Sequence, residues 1–160
     1  MSRVAVLGAG SWGTTLSVHL ALGGHEVAIW GSNASELGEL EVARENRKFL
    51  PGIGLPPGVK VQPQLKAALE GAETILFVVP SQAVREVAKA VAATGARGMP
   101  VIASKGLELG TFKRLSQVLT EELGDPDPVV LTGPSHAEEV SRGIPTSVVA
   151  AAHDGGRARA

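Results

Sequence analysis

The chain has no cysteine among its 160 residues. That absence removes disulfides, thiolate nucleophiles and cysteine-ligated metal sites together. Charge of one sign is also missing: 15 basic and 16 acidic residues leave a net charge of −1. No global field therefore draws the chain to nucleic acid or to an anionic membrane. Long apolar runs are lacking too. The run that follows Met1 ends at Gly8, far short of the roughly 20 residues a membrane-spanning helix needs, and it is not built as a signal peptide. The expectation is a cytoplasmic protein with no membrane span. His19, His25, His136 and His153 have no metal-ligand spacing, so no metal site is expected. There are no internal repeats.

What is present suits one globular domain over residues 1–160. The chain is 44% hydrophobic and 19% charged, enough to build a core at a usual single-domain length. Apolar runs of strand character alternate with helical patterns from end to end. Strands are expected at Arg3–Leu7, Glu26–Trp30 and Val59–Val61, then at residues 74–79, 101–103, 129–131 and 147–151. Between the first two, Trp12, Leu16 and Leu20 recur as one face of a helix that Gly23-Gly24 stops. Gly31-Ser32-Asn33 can cap a second helix reaching towards Asn46, and Ser81 one carrying Val84, Val87 and Val91. A helix bearing Phe112, Leu115, Leu119 and Leu123 is closed by Gly124-Asp125-Pro126, and a short one covers residues 137–141. The proline- and glycine-rich residues 49–58 form a long loop. Strands separated by helix-length segments imply right-handed crossovers. The fold class expected is α/β, a doubly wound, mostly parallel sheet with helices on both faces.

Directly after the first strand, Gly8-Ala9-Gly10-Ser11-Trp12-Gly13 matches the G-x-G-x-x-G turn of Rossmann-type dinucleotide-binding folds. Each glycine has its own mechanical reason. Gly8 permits the tight turn, Gly10 lets backbone approach a pyrophosphate, and Gly13 allows close helix–strand packing. The N–H groups of Ser11 and Trp12 open the helix, where unpaired donors and the dipole favour an anion. The acidic residue that would bind the ribose 2′-hydroxyl of NAD is missing: the second strand ends in Trp30-Gly31-Ser32-Asn33. Neutral side chains there accept either ribose, so NAD and NADP are both expected, or a preference for NADPH.

Several further motifs run in order along the chain: Asn46-Arg47-Lys48-Phe49-Leu50-Pro51-Gly52-Ile53, Val79-Pro80-Ser81, Ser104-Lys105-Gly106 and Gly133-Pro134-Ser135-His136-Ala137-Glu138-Glu139-Val140. With the glycine turn and Thr14 they make the sequence resemble the N-terminal domain of bacterial-type NAD(P)-dependent glycerol-3-phosphate dehydrogenases. The resemblance implies reversible hydride transfer between dihydroxyacetone phosphate and sn-glycerol 3-phosphate, feeding glycerophospholipid synthesis. It implies that Ser11 and Trp12 contact the cofactor, with Ser32 and Asn33 near the adenine ribose and Ala137 beside the cofactor. Lys105 would touch cofactor and substrate as the catalytic residue, and Gly133 and Ser135 would help hold substrate. His136 departs from the family pattern and receives no role.

The residues agree with these placements. Lys105 and Ser135 follow strands at the carboxyl edge, where open α/β sheets bind ligands. A lysine ammonium there can polarise a ketone oxygen. The resemblance also implies a helical C-terminal domain carrying the acid–base lysine and the phosphate clasp, for which nothing after Ala152 provides. The sequence is therefore expected to be a fragment that binds dinucleotide without turning substrate over. A face left uncovered in this way would promote self-association, so a homodimer is among the expectations. The competing reading is a non-catalytic dinucleotide-binding module. A related dehydrogenase acting on a hydroxy acid or sugar phosphate would carry different substrate motifs.

Overall fold

The apolar run at the start of the chain becomes the middle of a sheet. In the computed structural model, which describes residues 1–125 and 127–160, β1 (Arg3–Leu7) has parallel neighbours on both sides. They are β2 (Glu26–Trp30) and β4 (Thr74–Phe77), with Trp30 and Phe77 each opposite Leu7. A strand covered on both faces must be apolar throughout, and Ala5, Val6 and Leu7 are fully buried. The other strands are β3 (Val59–Val61), β5 (Met99–Ile102), β6 (Val129–Thr132) and β7 (Val149–Ala151). The sheet order is β3-β2-β1-β4-β5-β6-β7. The chain winds outward from β1 to β3, then crosses back to β4. The point of reversal lies between β1 and β4, where open α/β sheets form a crevice.

Alternation along β1 feeds two cores. Val4 and Val6 join Val18 of α1 (Ser11–Leu22) and Leu37 and Leu40 of α2 (Ala34–Ala43) on one face. Ala5 and Leu7 join the other face. There α3 (Leu65–Leu69) brings Leu69, α4 (Val84–Thr94) brings Val84, Ala88 and Val91, and α5 (Leu115–Leu123) brings Leu115, Val118 and Leu119. Asn33 caps α2 through its Oδ1, which accepts from the N–H groups of Ser35 and Glu36. Gly124 ends α5 in the left-handed region at φ 69°. Pro126 lies outside the described residues.

The structure adds to or departs from the sequence reading in several places. First, β7 pairs antiparallel with β6. The connection between them holds only the four-residue α6 (Ala137–Val140), which packs against α1. Thr132, the last residue of β6, stands opposite Val149, the first of β7, so the chain re-enters the sheet from the edge it left. Second, α5 begins at Leu115, not at Phe112. Residues 107–114 form a small hairpin bridged at Leu107 and Arg114, with Phe112 at φ 55° and 75% exposed. Third, the buried face of α1 holds Gly13, Thr14, Thr15, Ser17 and Val18, while Trp12, Leu16 and Leu20 are only partly buried. Fourth, Ser81–Ala83 is a turn of 3₁₀ helix without a side-chain cap. A short terminal helix α7 (Gly155–Arg159) was also not foreseen from its glycine start; Asp154 caps it by accepting from the Gly156 N–H.

The long loop is ordered by specific bonds. The Arg44 guanidinium donates to the carbonyls of Pro56 and Val59 at 2.9 and 2.8 Å, and Leu50 and Leu55 are buried beneath it. Among the described residues no helix is long and apolar enough to cross a membrane, and no group of side chains is arranged to hold a metal ion.

Candidate functional site

The glycine turn sits where the sheet reverses. Gly8 leaves β1 at φ 127°, its N–H donating to Trp30 O at 2.7 Å, and the Val78 N–H donates to Leu7 O at 2.8 Å. A Cβ on Gly8 would lie 2.4 Å from Val78 O, and one on Gly13 would lie 1.8 Å from Gly8 O. Both positions exclude any side chain. Gly10 differs: a Cβ there would meet no protein atom within 4 Å. What it needs to keep clear is therefore space outside the protein, as expected of the glycine that lets a ligand approach.

The start of α1 leaves its first donors open. Gly10 is its N-cap and supplies no side-chain acceptor, and no acidic residue occupies the first turn. The first-turn N–H groups have no intrahelical acceptor by construction. With the positive end of the helix dipole they face the crevice. The contrast with α2 is direct, since Asn33 occupies the equivalent donors there.

One cleft of roughly 450 Å³ gathers residues 10–12, 78–81, 103–105 and 135–138. It brings together Ser11, Trp12, Lys105, Ser135 and Ala137, which lie far apart in sequence. Ser104 anchors its strand end by donating to Val79 O at 2.6 Å. Lys105 is exposed, with its Nζ 3.4 Å from Gly133 O. Gly133 itself is held against Ser147 O, which a Cβ would approach to 2.7 Å. Thr15, fully buried on α1, donates to Ala137 O at 3.2 Å and so fixes the start of α6 beside the glycine turn. Ser32 and Asn33 lie outside this cleft, exposed at the end of β2. The first carboxylate beyond Trp30 is Glu36, and it is ion-paired with Lys48. His136 is exposed at the rim.

A cluster that the sequence did not announce holds the segment after Lys105. Arg85 donates to both Glu108 oxygens at 2.6 and 2.9 Å, to Glu121 at 2.9 Å, and to Glu122. Gln82 clamps the same hairpin, donating to Leu107 O and accepting from the Leu109 N–H, both at 2.9 Å. The Arg85 guanidinium, aided by the Thr111 hydroxyl, holds the Glu108 carboxyl down at about 2. A carboxylate depressed on folding adds stability that is fully present above its unfolded value and is lost as pH falls through the folded one. The chain is therefore expected to lose stability between about pH 5 and pH 2. Glu108→Gln should be less stable than wild type at neutral pH, with the gap closing over that range. Urea melts of both proteins across the range check this; a constant gap contradicts it.

The comparisons with known proteins agree with the geometry. The model for the N-terminus of NAD-dependent glycerol-3-phosphate dehydrogenase matches residues 3–158. A glycerol-3-phosphate dehydrogenase (NAD(P)+) of Desulfitobacterium hafniense (strain Y51) is 50% identical over 161 residues, 100% of this chain and 46% of the relative. One from Geobacillus kaustophilus (strain HTA426) is 46% identical, over 92% of this chain and 44% of its own length. The crystal structure of glycerol-3-phosphate dehydrogenase from Coxiella burnetii superposes with a TM-score of 0.93 at 36% identity, covering 99% of this chain and 49% of that one. The chain thus spans about half the length of the curated relatives it matches. With the family's model matching almost end to end and the glycine turn at the sheet's point of reversal, the chain belongs to the N-terminal family of NAD-dependent glycerol-3-phosphate dehydrogenases.

Proposed function

We propose that this chain is the cofactor-binding half of an enzyme that interconverts dihydroxyacetone phosphate and sn-glycerol 3-phosphate with NAD(H) or NADP(H), for glycerophospholipid synthesis. The observation that carries the reading is the single cleft in which the uncapped start of α1 faces Lys105 and Ser135. Gly8, Gly10 and Gly13 shape the pyrophosphate seat, and Ser11 and Trp12 offer it backbone donors. Ser32 and Asn33 serve the ribose end, and Ala137 lies beside the cofactor. When bound, the reduced dinucleotide supplies the hydride. The carbonyl carbon of dihydroxyacetone phosphate gains that hydride as its oxygen gains a proton. Lys105 donates a hydrogen bond to that oxygen and so stabilises the charge that develops on it. Gly133 and Ser135 hold the substrate against Lys105. By the family resemblance, the proton donor and the phosphate clasp would come from a helical C-terminal domain.

The residues favour no strict choice between the cofactors. Glu36, the first carboxylate beyond Trp30, is paired with Lys48, which lessens its repulsion of a 2′-phosphate. NADPH is expected to bind this chain at least as tightly as NADH. Titration calorimetry with each decides it, and a large preference for NADH contradicts it. The functional reading itself is tested by adding dihydroxyacetone phosphate to the chain with NADPH bound. Tighter cofactor binding supports it. No effect, together with no turnover by the intact protein, favours a non-catalytic dinucleotide module. The same reading puts the protein in the cytoplasm, which the bacterial relatives support. It includes a homodimer, to which the exposed Ile144, Val148 and Val149 lend an apolar surface.

A further inference from the structure

Asn46 is a buried amide that touches the glycine turn from behind. Only 7% of it is exposed, and it lies in the loop after α2, far from Gly10 in sequence. Its Nδ2 donates to Ala9 O at 2.9 Å and to Thr14 Oγ1 at 2.7 Å. Its Oδ1 accepts from the Phe49 N–H at 3.2 Å, and its own carbonyl accepts from the Leu50 N–H at 2.8 Å. Both amide hydrogens are thus committed, one to the backbone of the turn and one to the first helical turn after it. A buried amide so fully satisfied holds a single orientation.

From this geometry we infer that Asn46 is a positioning residue for the dinucleotide, acting through the Ala9–Gly10 peptide. The inference rests on the cofactor reading above. In a trans peptide the carbonyl and the following N–H point in opposite directions across one plane. Pinning Ala9 O to Asn46 therefore turns the Gly10 N–H to the side away from Asn46. The turn would otherwise be free to rotate this plane, because Gly10 carries no side chain and has open space around its Cα. The glycine that a close ligand approach demands is also the residue least able to hold its own peptide still. Asn46 supplies the missing restraint. It does so from the loop that carries Phe49 and the buried Leu50, so loop and seat are ordered together.

Three variants of the full chain test this: Asn46→Asp, Asn46→Leu and Thr14→Val. The measurements are NADPH affinity, the backbone order parameter of the Gly10 amide without ligand, and the thermal midpoint. Asn46→Asp keeps the volume but has no donor when ionised, so it faces Ala9 O with an acceptor. Asn46→Asp and Asn46→Leu should each weaken NADPH binding by about tenfold, the equivalent of one hydrogen bond of about 1.4 kcal/mol. Each should lower the order parameter of Gly10 while leaving the β1 amides unchanged. Thr14→Val keeps the bond to Ala9, and should weaken binding by no more than about threefold. An Asn46 variant that binds NADPH as wild type does overturns the inference. So does one that binds weakly with Gly10 as ordered as before, or an equal loss in Thr14→Val. Wild-type chain that binds neither NADH nor NADPH is a failure of the cofactor reading, visible before any variant is made, and the inference falls with it.

Discussion

Gly13→Ala is expected to abolish measurable dinucleotide binding and to lower the melting temperature by about 6–12 °C. The added Cβ would stand 1.8 Å from Gly8 O and 3.0 Å from its carbonyl carbon. Neither is the far end of a flexible side chain. Gly8 cannot retreat, because its own position is fixed against Val78 O and by its hydrogen bond to Trp30. Overpacking costs about 1–3 kcal/mol in a core, and contact with rigid backbone belongs at the top of that range. For a domain of this size, about 3 kcal/mol corresponds to the stated shift. Gly10→Ala is the control. Its φ of −80° suits any residue, and its Cβ meets no protein atom. That variant should melt within about 2 °C of wild type, yet bind NADH and NADPH far more weakly, because the methyl occupies the ligand's side of the turn. Thermal melts and calorimetric titrations of the two variants separate fold from seat. Similar melting of both would refute the division of labour among the glycines.

Much of this was legible in the sequence because strand and turn signals are local. The apolar run at residues 4–7 sits in the middle of a parallel sheet, and a glycine turn directly after such a strand has few other uses. Motifs just beyond strand ends were legible for the same reason: parallel strands bring their carboxyl ends to one edge. Lys105 and Ser135 therefore meet in one cleft although Lys105 lies on the turn after β5 and Ser135 after β6.

What was hidden depends on long-range polar contact. Apart from Val18, the buried face of α1 is threonine, serine and glycine, which apolar periodicity cannot register, because close approach to the sheet favours small residues over large apolar ones. Asn46 reads as a polar residue near a helix end and as the start of a motif; its burial against Ala9 and Thr14 is set by tertiary packing alone. The Arg85 cluster unites α4, α5 and a hairpin, and no spacing rule connects residues 85, 108, 121 and 122. The mostly parallel sheet stands, and the antiparallel direction of its edge strand β7 is set by tertiary packing rather than by the strand's own composition. Phe112 was placed in a helix by its apolar spacing, but the left-handed backbone there belongs to a turn.

Lys105→Ala should lower kcat by about a hundred- to a thousandfold in the intact enzyme, the loss typical when one donor to a developing oxyanion is removed. The proposed cofactor seat lies on a different segment and is held by backbone, so NADPH affinity should change much less than turnover. The geometry explains why no neighbour would substitute. Ser104 has its hydroxyl committed to Val79 O, and Gly106, at φ 113°, has no side chain. The hairpin beyond is tethered through Glu108 to Arg85, whose guanidinium is committed to carboxylates. Lys105→Arg tests geometry against charge: it keeps the positive charge but presents a planar fork in place of a compact ammonium. It should recover only a minor part of the lost kcat. Steady-state kinetics with dihydroxyacetone phosphate, set beside NADPH titrations of the same proteins, distinguish the outcomes. Equal losses in affinity and turnover would make Lys105 a cofactor ligand alone, whereas wild-type kcat in Lys105→Ala would remove it from the reaction.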